Sequence, residues 1–83
     1  MNIRFTKHAI ERIKKRGSSE SEVIEAIESC NKEPAKDNKI MCRLNIPYNS
    51  DWMGSFYPIK QVAPVIVEEN NEIIVITVYT FYF

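Results

Sequence analysis

A chain of 83 residues, 45% hydrophobic and 27% charged, can bury one modest core and is too apolar to be a disordered tail. Its formal net charge is zero and its pI is about 6.6, which excludes a uniformly basic nucleic-acid binder. No apolar run is long enough to span a bilayer, so no membrane partner is expected.

The elements follow in chain order. "NIRF", residues 2–5, alternates and reads as a first strand. Thr6 then stands as an N-cap, because its hydroxyl can accept from a free amide of the first turn. A helix over Lys7 to Arg16 follows, with Gly17 as its stop. Ser19 and Glu22 have the spacing of a capping box and open a second helix. Val23, Ile24, Ile27 and Cys30 recur along it at helical spacing, and it should end near Cys30 or Asn31, ahead of Pro34.

Past Pro34 the apolar period changes to two. Ile40, Cys42, Leu44 and Ile46 alternate with polar or flexible residues, as in a half-buried strand. "PYNSDWMGSFYP", 47–58, is rich in turn residues and reads as a loop, with Trp52 and Phe56 available to stack on a base or to cap the core. "KQVAPVIVEE" reads as a strand whose Pro64 belongs at an edge or a bulge. Asn70 and Asn71 make a tight turn. "EIIVITVYTFYF" is apolar on both faces, which suits a central strand or one covered on both sides. The order β-α-α-β-β-β predicts a single α+β domain over 1–83, with two N-terminal helices packed on a twisted antiparallel sheet.

Charge is unevenly spread. Residues 1–16 hold six basic side chains against Glu11 alone, a net +5; residues 17–83 hold five basic and ten acidic, a net −5. Helical geometry sorts the first group. With His8 set at zero and about 100° per residue, Arg12 falls near 40° and Arg16 near 80°, while Ala9, Ile13 and Ile10 fall near 100°, 140° and 200°. His8, Arg12 and Arg16 therefore form one row along the border of the apolar stripe, with Lys15 close in angle to His8. A row at that border is held in place and partly desolvated, as a site requires. Arg4 and Lys7 extend the positive charge at the helix start. Thr77 and Tyr79 share one face of the last strand.

The two cysteines, Cys30 and Cys42, form no CxxC pair and read as small buried apolar residues. No metal site and no cofactor is implied. The start "MNIRFTKHA" lacks a signal-peptide apolar region, which makes the cytoplasm the expected compartment.

The ordered set Thr6, His8, Ala9, Arg12, Arg16 and Gly17, followed by "SESEVIEAI" and by "VITVY" at 75–79, resembles a bacterial family catalogued as domain of unknown function 4258. The likeness covers most of residues 3–30 and 60–80. That family is similar in predicted layout to the RelE/ParE-like toxins, including the BrnT group, which are small endoribonucleases, ribosome-dependent or free, or gyrase poisons. The resemblance implies a RelE/ParE-like fold, a toxin-antitoxin setting and an antitoxin protein as partner.

RNA cleavage by the neighbouring 2′-hydroxyl needs a base at that hydroxyl and cations on the scissile phosphate. His8 is the only histidine and suits the first role; the planar forks of Arg12 and Arg16 suit the second. Tyr79 would orient the phosphate or stack on a base. Arg4, Lys7, Lys15 and Thr77 would hold the RNA backbone. The duller readings stand beside these: His8 donating to a backbone carbonyl, Arg12 and Arg16 paired with Glu28, Glu68 or Glu69, and Tyr79 in the core. Two functions follow: a metal-independent endoribonuclease acting on free or ribosome-associated RNA, or a non-catalytic protein- or nucleic-acid-binding module on the same fold. The strand-rich C-terminus suits a homodimer or partner contact.

Overall fold

The computed structural model describes residues 2–29 and 32–83. The chain runs β1 (Asn2–Phe5), α1 (Lys7–Arg16), α2 (Glu20–Ser29), β2 (Glu33–Pro34), a 3₁₀ turn (Lys36–Asn38), β3 (Ile40–Met41), β4 (Leu44–Trp52), β5 (Ser55–Glu69) and β6 (Glu72–Tyr82). This is an α+β layout with both helices on one face of a six-stranded sheet. α1 lies on β6 and α2 on β5.

The helix boundaries follow from local chemistry. The Thr6 hydroxyl accepts from the Ala9 amide at 3.1 Å. Gly17 closes α1 in the left-handed region, at φ 79°. Ser19 and Glu22 form the reciprocal capping box: the Ser19 amide donates to Glu22 Oε1 at 2.9 Å and the Glu22 amide to Ser19 Oγ at 3.2 Å. The expected end of α2 at Cys30 or Asn31, and the burial of Cys30, lie outside the described residues.

Four expectations need correction. The sheet is mixed, because β1 pairs parallel with β6, Asn2 opposite Glu72 through Phe5 opposite Val75. Two segments so far apart in sequence can run parallel because a long crossover carrying both helices joins them. The stretch 47–58 is a hairpin. β4 and β5 pair almost throughout and turn through Met53 and Gly54 alone, both at positive φ as a two-residue turn requires. Pro47 and Asn49 fit because β4 is an edge strand with a register shift between Pro47 and Ser50.

Of the two places expected for Pro64, the edge fails, since β5 is central, while the register shift between Val65 and Ile66 lies just beyond it. The Pro64 carbonyl accepts from the Cys42 amide, so its missing N–H faces the same side, at the break that separates β3 from β4. Finally, β6 is central only in its first half. Beyond Val75 it has no partner on the β1 side among the described residues, and Tyr79, Phe81 and Phe83 are exposed.

The core fills the space between helices and sheet: Ala9, Ile13, Val23 and Ile27 from above, Val62, Ile66, Val75 and Val78 from below, with Cys42 fully buried among them. β6 carries one extra residue at Ile76, where Val65 faces Thr77 but Ile66 faces Val75. After this bulge Val78, Thr80 and Tyr82 face the helices, and Thr77, Tyr79 and Phe81 face away. Among the described residues no helix is long and apolar enough to cross a membrane.

Candidate functional site

The start of α1 is pinned to β6 where β1 ends. The Thr6 amide donates to the Val75 carbonyl at 3.1 Å, and the Thr6 hydroxyl donates to the Ile76 carbonyl at 3.1 Å. Two residues on, His8 Nε2 meets Thr77 Oγ1 at 3.1 Å. The bulge at Ile76 brings Thr77 to the open edge, and the cap at Thr6 fixes the helix that carries the imidazole. His8 itself is solvent-exposed.

From this point α1 runs alongside the unpaired half of β6. Its far end is held there too, since the Tyr82 hydroxyl donates to the Arg16 carbonyl at 2.6 Å. Arg12 is half-buried and Arg16 exposed, and neither guanidinium has an ion pair among the described residues. Of the carboxylates weighed as partners, Glu68 pairs with Lys32 at 2.6 Å, and neither Glu28 nor Glu69 forms an ion pair among the described residues. His8, Arg12 and Arg16 thus stand as an unneutralised row beside a sheet edge. Lys7 and Lys15 are exposed on the same helix.

Arg4 does not extend this row. Ile3 and Phe5 pack against the core, so Arg4 between them turns to the other face of the sheet, where it pairs with Glu72 at 3.3 Å. Tyr79 is a surface group, 43% exposed, lying near-parallel to Phe81 with 6.2 Å between ring centres. Thr77 and Tyr79 do share a face, and both border a cleft of about 260 Å³ on the side of the sheet away from the helices. Among the described residues no three His, Cys, Asp or Glu side chains converge as metal ligands.

A second constellation, missed in the sequence, anchors the far end of the row. Lys60 is 6% exposed. Its ammonium donates to the Gly17 carbonyl at 3.0 Å and to Glu22 at 2.9 and 3.1 Å, and sits 5.6 Å from the centre of the Tyr48 ring. Trp52 stacks on Tyr82 at 4.9 Å, with Tyr48 and Tyr57 tilted against the same ring at 5.2 and 5.7 Å. Trp52 therefore caps the end of the core, whereas Phe56 is 60% exposed. The signal was present: Lys60 is in phase with Val62, Pro64 and Ile66, an inward position for a charged residue.

Desolvation among these rings, with smaller contributions from Tyr48 and Glu22, pushes the Tyr82 phenol from 10.0 up to about 12. The folded chain holds that proton more tightly than the unfolded chain does. The resulting stability is complete below pH 10 and is lost as pH rises toward about 12. The urea midpoint of the parent should therefore fall more steeply over that window than that of Tyr82→Phe. Parallel curves for the two proteins would show that Tyr82 titrates normally.

No family model, curated protein or solved structure matches the chain, so its functional reading rests on the chemistry of these residues.

Proposed function

We propose that the chain is a metal-independent, toxin-like endoribonuclease whose catalytic row is His8, Arg12 and Arg16. The observation that carries this reading is the His8–Thr77 contact, which holds an exposed imidazole against a residue that borders the cleft. Arg12 and Arg16 follow one and two turns along α1; they do not line the cleft, and neither has an ion pair among the described residues. In this reading His8 takes the proton of a ribose 2′-hydroxyl, and that oxygen attacks the adjacent phosphorus. The P–O5′ bond breaks, leaving a 2′,3′-cyclic phosphate and a 5′-alkoxide that takes a proton from the imidazolium or from water. Arg12 and Arg16 carry the charge that builds on the non-bridging oxygens. Tyr79 orients the phosphate or a base, and Lys7 and Lys15 hold the flanking backbone. An antitoxin of acidic character would silence the row by covering it.

The near-neutral pI, and a His8 whose one side-chain hydrogen bond among the described residues is to Thr77 rather than to an acid or base, favour one other reading, a non-catalytic module that binds protein or nucleic acid with the same surface.

Cleavage of single-stranded RNA in the presence of EDTA separates the two. The parent should cut, and His8→Ala should slow cutting by about 10²–10⁴-fold, the usual share of a general base. Arg12→Ala should act in the same direction. In cells, growth arrest on expression should disappear with either substitution. RNA that is retained but never cut would assign the binding module instead.

A further inference from the structure

We infer that the cleft beneath Thr77 and Tyr79 holds one unpaired nucleobase of a single-stranded RNA. This deepens the proposed function and rests on it for the identity of the ligand. Met41, Val65 and Ile76 give the cleft an apolar floor. Lys36, Lys39 and Asp37, from the connection between β2 and β3, form its opposite rim.

Three features select a base. The volume, about 260 Å³, lies just under the range of roughly 300–1,000 Å³ that encloses a whole drug-sized ligand, which suits one ring system better than an entire nucleotide. Tyr79 stands between Phe81 and the cleft, so the two near-parallel rings already form a stack that a base would extend. The rim mixes hydroxyls, ammonium groups and a carboxylate, which can pair with both donors and acceptors on a base edge.

The cleft also meets the proposed row at one point, His8. Thr77 lines it and touches His8. A base seated on Tyr79 would leave its ribose at the Thr77 lip, beside the imidazole. Lys36 and Lys39 would meet a neighbouring phosphate.

The test is binding of nucleoside 3′-monophosphates to the full chain, followed by NMR, with inorganic phosphate as the comparison probe. Shifts at Met41, Thr77 and Tyr79 are expected with the nucleotides and not with phosphate. Tyr79→Ala, which removes the platform, should weaken nucleotide binding about five- to hundredfold, the usual range for loss of one base stack. Ala35→Phe, which fills the cleft from its rim, should weaken it as well without touching the platform.

Identical shifts with phosphate alone, or nucleotide affinity unchanged in both variants, would overturn the inference. Nucleotide binding in the cleft by a protein that never cuts RNA would support the base site and remove the endoribonuclease. Cutting by a protein whose cleft residues do not respond to nucleotides would do the reverse.

Discussion

Gly17→Ala should destabilise the domain by about 2–4 kcal/mol, a loss of about 10–25 °C in melting temperature for a chain of this size. Two costs combine. Gly17 adopts φ 79°, the left-handed region that costs an L-residue about 1–2 kcal/mol. A methyl group there would also lie 2.8 Å from a Trp52 ring carbon and 2.8 Å from the Tyr82 hydroxyl. Neither neighbour can yield cheaply. Trp52 is stacked on Tyr82, and Tyr82 is bonded to the Arg16 carbonyl. Gly54 supplies the control, since it has φ 85° but nothing within 4 Å of an added methyl. Gly54→Ala should show only the backbone cost. The difference between the two urea-unfolding free energies therefore measures the packing against Gly17. Equal losses would mean that the rings do not press on this turn.

The same contacts bear on the proposed function, because Gly17 follows Arg16, the last member of the proposed row. Tyr82 and Lys60 hold the two successive carbonyls of Arg16 and Gly17. The end of α1 is thus fixed by groups from β5 and β6, not by its cap alone. A substitution that loosens this end should free Arg16 from its place beside the sheet edge while leaving His8, tied through Thr6 and Thr77, where it is.

What could be read from the sequence divides along the range of the interactions. α1, with Thr6 and Gly17 at its ends, was legible because a cap is decided within four residues. The capping box at Ser19 and Glu22 was legible for the same reason. The His8–Arg12–Arg16 row followed from helical period, and the burial of Ala9 and Ile13 bears out the face assigned to the core. The hairpin at Met53–Gly54 was not legible. Its first strand carries Pro47, Asn49, Ser50 and Asp51, poor strand formers, and the hairpin is held by ring contacts with Tyr82 near the C-terminal end of the sequence. That Thr77 and Tyr79 share a strand face follows from the period of two, but the contact of Thr77 with His8 depends on a parallel pairing and a one-residue bulge across a separation of 69 residues. The cleft needs the 3₁₀ turn at Lys36–Asn38 brought over against β6, and nothing in the periodicity of that short segment announces it.

Glu22→Gln should cost about 3 kcal/mol, more than Lys60→Met at about 1–2 kcal/mol, and the double variant should recover part of the loss of the first. The asymmetry comes from the unequal burial of the partners. The Lys60 side chain is 8% exposed and the Glu22 side chain 24%. Glutamine keeps an Oε1 that can still accept from the Ser19 amide and from Lys60, but it removes the neutralising charge and puts an amide NH₂ where Oε2 met the enclosed ammonium at 2.9 Å. Methionine removes the enclosed charge outright, and the carboxylate it leaves behind still accepts from the Ser19 amide and reaches water. Removing both charges leaves neither stranded, so the double-mutant cycle should give a coupling of about 1–3 kcal/mol. Added salt should change that coupling little, since one partner is almost fully shielded from solvent. Additive losses, or a larger loss for Lys60→Met, would mean that the contact is an ordinary surface ion pair. The end of α1, and with it the position of Arg16, would then be held by Tyr82, the Gly17 cap and the Ser18–Thr80 contact without help from the ion pair.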